Sequence, residues 1–234
     1  MNPSTYRKVT AEDVDSRETS RGIEVISMAD YAKVCDDTYY GDHRRYRLYA
    51  QIIDMLLDIP VGPFTAGKQI LEVGCYKLPF VFGSQTMDIA ATRTHPVVHD
   101  ASLAPWPFRE GQFSVCIMSH VVEHLDDPGT AIAEAARVAD WLVIALPLNW
   151  RHSGTKGHDG LNQETLQRWV IASQANLVPW LVAESRTLTP YEQFVAVYQV
   201  RRHYPRPCQG HDGNAPDYDV LAPAMPSALP EEGA

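Results

Sequence analysis

The side chains best suited to proton transfer follow one apolar run of the sequence. Residues 113–119, FSVCIMS, lead directly into His120, Glu123 and His124. A histidine with an ordinary pKa can accept a proton from a hydroxyl group near neutral pH. His120 or His124 is therefore a candidate general base. The alternative is a structural hydrogen bond that fixes the turn, and this applies more strongly to His124 than to His120. The three side chains also have metal-ligand character, but we favour a site without metal.

A second candidate site begins at Ile70, where a short apolar run closes with Glu72 and Gly74. An apolar run that ends in an acid and a glycine is typical of a parallel strand turning into a ligand loop. About fifteen residues later, the run 86–89 contains Asp88, and an acid on a neighbouring strand can accept both hydroxyls of a ribose. The pattern predicts the nucleoside-binding half of an open α/β sheet. A lone glycine is also compatible with an ordinary strand-to-helix turn.

Composition limits the partners and the compartment. The 234 residues suit one α/β domain with extensions, and the net charge of -9 argues against nucleic acid as the main partner. No apolar run is long enough to cross a bilayer, and the polar N-terminus lacks a secretory signal. The four cysteines are scattered, which favours reduced thiols. We therefore expect a cytoplasmic protein with neither a membrane nor a nucleic-acid partner, and a homodimer is possible.

Short apolar runs and turn residues predict the elements that must position these side chains. The predicted strands are 69–73, 85–89, 96–100, 113–119, 141–146, 181–185 and 193–200, and the clearest predicted helices are 44–57, 130–138 and 163–173. Between the first two strands, residues 78–82 leave room for one or two helical turns. The expected fold class is α/β, a Rossmann-like doubly wound sheet that is mostly parallel and has an antiparallel C-terminal strand.

Three parts of the chain are expected. Residues 1–62 form an N-terminal segment with a helix that could lie over the sheet's carboxyl edge as a lid, residues 63–202 form the α/β domain, and residues 203–234 form a proline-rich, disordered tail. Tyr39 and Tyr40 of the lid could line a substrate pocket. A solvated helix face with a few packed tyrosines is the alternative.

This order of elements resembles that of the class I S-adenosylmethionine-dependent methyltransferases. The text ILEVGC is similar to the family's first motif. Residues 99–147 resemble the small-molecule, or type 11, branch, in which an Asp-Ala pair, a Pro-Phe turn, a Phe-Asp-Val strand and a Glu-His-Leu turn recur at this spacing. The similarity runs from about Lys68 to Arg201.

The resemblance implies a role for each of a set of residues around the cofactor. Glu72 and Gly74, with the turn at Cys75 and Tyr76, would meet the methionine portion of S-adenosylmethionine. Asp88 would accept the ribose hydroxyls, with Ile89 beside it in the same site.

The resemblance places three further residues around the rest of the cofactor. Asp100 and Ala101 would face the adenine, and Ser119 would border the sulfonium together with His120.

The predicted activity is methyl transfer from S-adenosylmethionine to an oxygen or nitrogen of a small-molecule metabolite or natural-product intermediate. Tyr39, Tyr40, His120 and His158 are the expected substrate contacts; loop structure is the alternative for His158. Tyr76 stands where the family usually has a second glycine. That bulky side chain supports the alternative function, a catalytically inactive binding or scaffold subunit with the same fold.

Overall fold

The computed structural model describes residues 43–57, 59, 70–75, 79–81, 83–90, 97–148, 161–185 and 193–202. Within them the helices are α1 (His43–Leu57), α2 (Pro128–Val138) and α3 (Gln163–Ser173), with a 3-10 turn at Val122–His124. The strands are β1 (Ile70–Val73), β2 (Gln85–Asp88), β3 (Val97–Val98), β4 (Phe113–Ser119), β5 (Ala139–Pro147), β6 (Leu177–Ser185) and β7 (Gln193–Val200).

The described strands form one sheet in the order β3-β2-β1-β4-β5-β7-β6. Neighbouring strands from β3 to β5 are parallel, and β7 lies antiparallel to both β5 and β6. The expected fold class is therefore confirmed. After β1 the chain builds outward through β2 and β3 and then returns to β4 on the other side of β1. Ligands of open α/β sheets bind at such a reversal, beside the carboxyl ends of the strands.

The central strands are apolar because both faces of the sheet are covered. In β4, Cys116 and Met118 belong to the core that includes α2, whereas Val115 and Ile117 belong to the core that includes α1. Successive side chains of a strand point to opposite faces, so a continuous apolar run is needed when helices lie on both sides. This explains why FSVCIMS could be recognised as a central strand.

Helix starts follow their capping residues. The prediction for 163–173 is confirmed, and the Asn162 side chain accepts a hydrogen bond from the Thr165 backbone N–H at 2.9 Å. Helix α2 begins two residues earlier than predicted, at Pro128. Asp127 is its N-cap and accepts from the Thr130 backbone N–H at 3.2 Å, while a proline at the first helical position needs no hydrogen-bond partner for its nitrogen.

The last-but-one strand and the segment after β1 also differ from their predictions. Strand β6 begins at Leu177 rather than at residue 181, and it passes through Pro179 with a register shift. A proline is tolerated there because β6 is an edge strand with one pairing neighbour. In the segment after β1, residues 79–81 and 83–84 contain no helical turn, and Val81 forms an isolated bridge instead.

All the described elements up to Arg201 belong to one compact unit. The predicted boundary after residue 62 and the tail from residue 203 lie outside the described residues, so the three-part division stays a prediction. None of the described helices combines the length and the apolar character needed to cross a membrane.

Candidate active site

A cleft of about 370 Å³ opens at the carboxyl edge of the sheet, where β1, β2 and β4 end. Its size lies within the range of roughly 300–1,000 Å³ that is usual for small-molecule sites. The cleft is lined by seven of the predicted site residues: Gly74, Asp88, Ile89, Asp100, Ala101, His120 and His124. The sheet thus brings together side chains that are up to fifty residues apart in the sequence.

Gly74 ends β1 in a conformation that other residues rarely adopt. Its φ is +69°, and a Cβ atom built on it would lie 2.5 Å from Cγ2 of Val121. Its N–H donates to the Met87 carbonyl at 2.9 Å, which fixes the turn against β2. A glycine is therefore required here, and it leaves backbone exposed on the cleft wall, where a ligand can approach closely.

Asp88 ends β2 inside the cleft and is only 8% exposed. Its Oδ1 accepts a hydrogen bond from the Ala90 backbone N–H at 2.9 Å, and its backbone carbonyl accepts one from His99. These bonds hold the carboxylate at the strand end. Ile89, the next residue, is 70% exposed and presents an apolar surface to the same cleft.

Asp100 and Ala101 form a rigid turn on the far wall of the cleft. Oδ1 of Asp100 accepts from both the backbone N–H and the hydroxyl of Ser102, at 2.9 and 2.6 Å. The Ala101 carbonyl accepts from the indole N–H of Trp106 at 3.1 Å. The wall is thus fixed by its own local hydrogen bonds before any ligand arrives.

A half-buried ion pair on α2 anchors this wall, and sequence reasoning missed it. Glu134 accepts from the Trp106 backbone N–H at 2.6 Å and from Arg137 at 2.6 Å, and Arg137 donates in turn to the carbonyls of Trp106 and Phe108. Although burial raises the pKa of Glu134, the bonds from Arg137 and Trp106 outweigh it and lower that pKa. Nothing in the local sequence signals a contact between residues 28 apart.

Glu72 lies outside the cleft. Its buried carboxylate accepts three hydrogen bonds, from the backbone N–H groups of Phe80 and Val81 at 2.8 and 2.7 Å and from the Ser84 hydroxyl at 2.8 Å. Burial raises the pKa of Glu72, and the three donors oppose that rise. The side chain therefore holds the loop after β1 in place. Its predicted contact with the methionine portion of a cofactor stays a prediction.

A second cavity, of about 20 Å³, lies beside the cleft and shares Val73 and Gly74 with it. Glu72, Cys75 and Ser119 line this small cavity rather than the cleft, together with residues of α1. Among the described residues, the hydroxyl of Ser119 is buried without a hydrogen-bond partner. A polar atom in that position has capacity for a ligand or water.

The Cys75 thiol stays neutral in this environment. Burial raises its pKa above the usual range, and the nearby carboxylates of Glu72 and Asp88 raise it further. The thiolate is the nucleophilic form of cysteine, so Cys75 is not a nucleophile here.

His120 and His124 flank the buried carboxylate of Glu123. Nδ1 of His120 lies 3.6 Å and Nε2 of His124 lies 3.9 Å from Oε1 of Glu123. The side chain of His120 is 16% exposed, that of His124 is 48% exposed and that of Glu123 is 1% exposed. His120 also contacts Gln193, with Nε2 3.3 Å from Oε1. Sequence reasoning missed Gln193, which lies 73 residues further on.

Several predicted residues cannot be placed. Tyr39, Tyr40, Tyr76 and His158 lie outside the described residues. Within the described part of the chain, no group of three or more His, Cys, Asp or Glu side chains could hold a metal ion.

One family model matches part of the chain. Residues 81–140 match the family model described as "Methyltransferase domain". The match covers about a quarter of the chain. The sheet order β3-β2-β1-β4-β5-β7-β6 agrees with the Rossmann-like methyltransferase fold.

Solved structures with a similar arrangement have low sequence identity. The N-methyltransferase NodS from Bradyrhizobium japonicum WM9 is 14% identical over 71% of this chain and 99% of its own, with a TM-score of 0.49. A SAM-dependent methyltransferase from Aquifex aeolicus is 14% identical over 74% and 99%, with a TM-score of 0.47. The [4+2]-cyclase SpnF is 12% identical over 66% and 80%, with a TM-score of 0.47. No curated protein matches the sequence.

Proposed function

We propose that this protein transfers a methyl group from S-adenosylmethionine to an oxygen or nitrogen atom of a small-molecule metabolite or natural-product intermediate. One observation carries the proposal. Gly74, Asp88, Asp100 and His120 all line a single cleft of the size of a small-molecule site. An exposed backbone turn, two carboxylates and an imidazole are the groups that a nucleoside cofactor and a protic acceptor would need.

The residues of the cleft fit the cofactor. Asp88 would accept the ribose hydroxyls from the end of β2, and Asp100 would accept the exocyclic amine of adenine. Ile89 offers an apolar surface beside them. Gly74 would let backbone approach the methionine portion, since it contributes no side chain of its own to the cleft.

When bound, S-adenosylmethionine supplies a methyl group on a positively charged sulfur, and the bond from the acceptor atom to carbon forms as the carbon–sulfur bond breaks. The protein's main task is to position the acceptor, and proximity can supply about 7–11 kcal/mol of the barrier. A hydroxyl or protonated amine must also lose a proton. His120 would take it, with the buried Glu123 carboxylate 3.6 Å away to stabilise the resulting cation. His124, more exposed and 3.9 Å from the same carboxylate, is the second candidate.

Thermal denaturation with S-adenosylmethionine and with S-adenosylhomocysteine tests the cofactor site. Ligand at about a hundred times its Kd should stabilise the fold by roughly 2.7 kcal/mol. A rise in Tm with either ligand supports the proposal. If neither ligand raises the Tm, the proposal fails and the inactive scaffold becomes the better account.

Turnover tests the assignment of the base. Acceptor candidates are screened by release of S-adenosylhomocysteine, and the His120→Ala variant is then compared with His124→Ala. We expect His120→Ala to lower kcat by about a hundredfold or more with little change in cofactor Kd, since a positioned general base contributes on the order of 10²–10⁴. Equal losses of turnover and of cofactor affinity would show that His120 binds the cofactor or supports the fold instead.

A further inference from the structure

The side-chain amide of Gln193 lies between helix α1 and His120 and is completely buried. Its Nε2 donates to the Leu48 carbonyl at 3.0 Å and to Oε1 of Gln51 at 2.6 Å. A backbone carbonyl can only accept, so the amide atom that faces Leu48 must be the nitrogen. The oxygen of Gln193 therefore has to face His120.

This orientation fixes a proton on His120. Oε1 of Gln193 can only accept, and Nε2 of His120 lies 3.3 Å from it. The contact is a hydrogen bond only if Nε2 carries the hydrogen. We propose that Gln193 is a positioning residue that keeps the imidazole of His120 in its Nε2–H tautomer, so that Nδ1 is the nitrogen that takes the acceptor's proton.

The proton balance on His120 follows directly. The Nε2–H bond to Gln193 stays intact throughout. The proton that leaves the acceptor's oxygen or nitrogen forms a new bond to Nδ1, and the ring becomes a cation. The carboxylate of Glu123 lies 3.6 Å from Nδ1, so it can stabilise that charge on the side where the proton arrives. The role in turnover rests on the proposed function, whereas the tautomer does not.

The network also connects His120 to helix α1. Leu48 and Gln51, the partners of Gln193, lie on that helix, and Tyr49 between them lines the small cavity beside Gly74. The position of α1 therefore determines the orientation of the Gln193 amide, and that amide determines which nitrogen of His120 is basic. An acceptor that contacts α1 would be placed by the same helix that sets the tautomer.

Nuclear magnetic resonance of protein labelled with ¹⁵N-histidine tests this directly. The imidazole nitrogens of His120 are observed at alkaline pH, where the ring is neutral, and are assigned with a His120→Gln variant. We expect the Nε2–H tautomer in the wild-type protein. The Nδ1–H tautomer, or an even mixture, would overturn the proposal.

Matched variants separate positioning from structure. Gln193→Met fills a similar volume without an oxygen acceptor. It should shift His120 toward the Nδ1–H tautomer, because the carboxylate of Glu123, 3.6 Å from Nδ1, is then the acceptor that remains beside the ring. We expect kcat to fall about tenfold with an unchanged KM for S-adenosylmethionine. Gln51→Ala should keep the Nε2–H tautomer, because the Leu48 carbonyl alone fixes the amide.

The spectra of these variants can either support or refute the role of Gln193. A folded Gln193→Met protein with an unchanged tautomer would refute the role of Gln193. If Gln193→Met does not fold, the wild-type and Gln51→Ala spectra decide, and the Nδ1–H tautomer in either would refute the proposal. If His120 has the expected tautomer but the protein binds neither S-adenosylmethionine nor S-adenosylhomocysteine, the proposed function fails and the tautomer assignment stands.

Discussion

Replacement of Asp88 by alanine tests the placement of the ribose. Asp88 ends β2 in the cleft, and its Oδ1 is held by the Ala90 backbone N–H at 2.9 Å. The β2–β3 connection uses the backbone carbonyl of Asp88 rather than its carboxylate. We therefore expect Asp88→Ala to stay folded and to lose most of its affinity for S-adenosylmethionine.

The size of the loss follows from the bonds that the carboxylate can make. A hydrogen bond to a charged group contributes about 1.5–3 kcal/mol. A ribose would form at least one such bond with Asp88. A second bond would share a carboxylate that already accepts from Ala90, so the two together contribute about 2–4 kcal/mol of binding free energy. At about 1.4 kcal/mol for each factor of ten, Kd should rise by roughly 30-fold to 1,000-fold. A ligand concentration of a hundred times the wild-type Kd would then stabilise the variant by about 0.4 kcal/mol, for a hundredfold loss, instead of about 2.7 kcal/mol.

Isothermal titration calorimetry measures the Kd, and circular dichroism checks that the variant is folded. Asp126→Ala is the matched control, because Asp126 is an exposed residue that lines the same cleft and its replacement removes the same charge. Its Kd should change by less than about threefold, as expected for a screened surface charge. Equal losses in the two variants would show that the cleft's overall charge, not a ribose contact at Asp88, controls binding. An unchanged Kd in Asp88→Ala would refute the ribose placement.

Two further predictions concern the supports of the cleft. Gly74→Ala should destabilise the fold by more than the roughly 1–2 kcal/mol that a positive φ costs, and should weaken cofactor binding, because its Cβ would meet Val121 at 2.5 Å. Gly83→Ala is the control in urea denaturation, because Gly83 has a similar φ of +73° but nothing lies within 4 Å of a Cβ built on it. Equal losses of unfolding free energy in the two variants would contradict a clash with Val121. The lowered pKa of Glu134 means that its carboxylate stabilises the fold above about pH 4.5, its ordinary value, and that this contribution is lost as the pH falls through the folded-state pKa. The wild-type advantage in unfolding free energy over Glu134→Gln should therefore shrink as the pH falls below about 4.5, and a difference that stays constant on acidification would contradict the assignment.

The sheet was predictable from the sequence because its strands carry local signals. The apolar runs at 113–119 and 193–200 became β4 and β7 without change, and the glycine and acid after β1 marked the carboxyl edge. Parallel strands end at the same edge, so an acid at the end of β2 had to face a glycine at the end of β1. That Gly74 and Asp88 line one cleft could be predicted for this reason.

Bonds between distant residues could not be predicted in the same way. Glu72 was expected at the cofactor, but its carboxylate accepts three hydrogen bonds from residues 80–84. An acid after an apolar run gives the same local pattern whether it faces a ligand or a neighbouring loop. Only the positions of Phe80, Val81 and Ser84, which donate to Glu72, distinguish the two.

The acceptor half of the site depends on contacts that have no local signal at all. His120 was recognisable as a candidate base because it follows β4, yet the nitrogen that can act is decided by Gln193, and the orientation of Gln193 is decided by the Leu48 carbonyl. These three residues come from β7, α1 and the end of β4, and they meet only because β7 pairs with β5 beside β4. The proposed cofactor site is therefore built from turns that the sequence shows, whereas the proposed role of His120 depends on contacts of the assembled sheet and of the helix packed upon it.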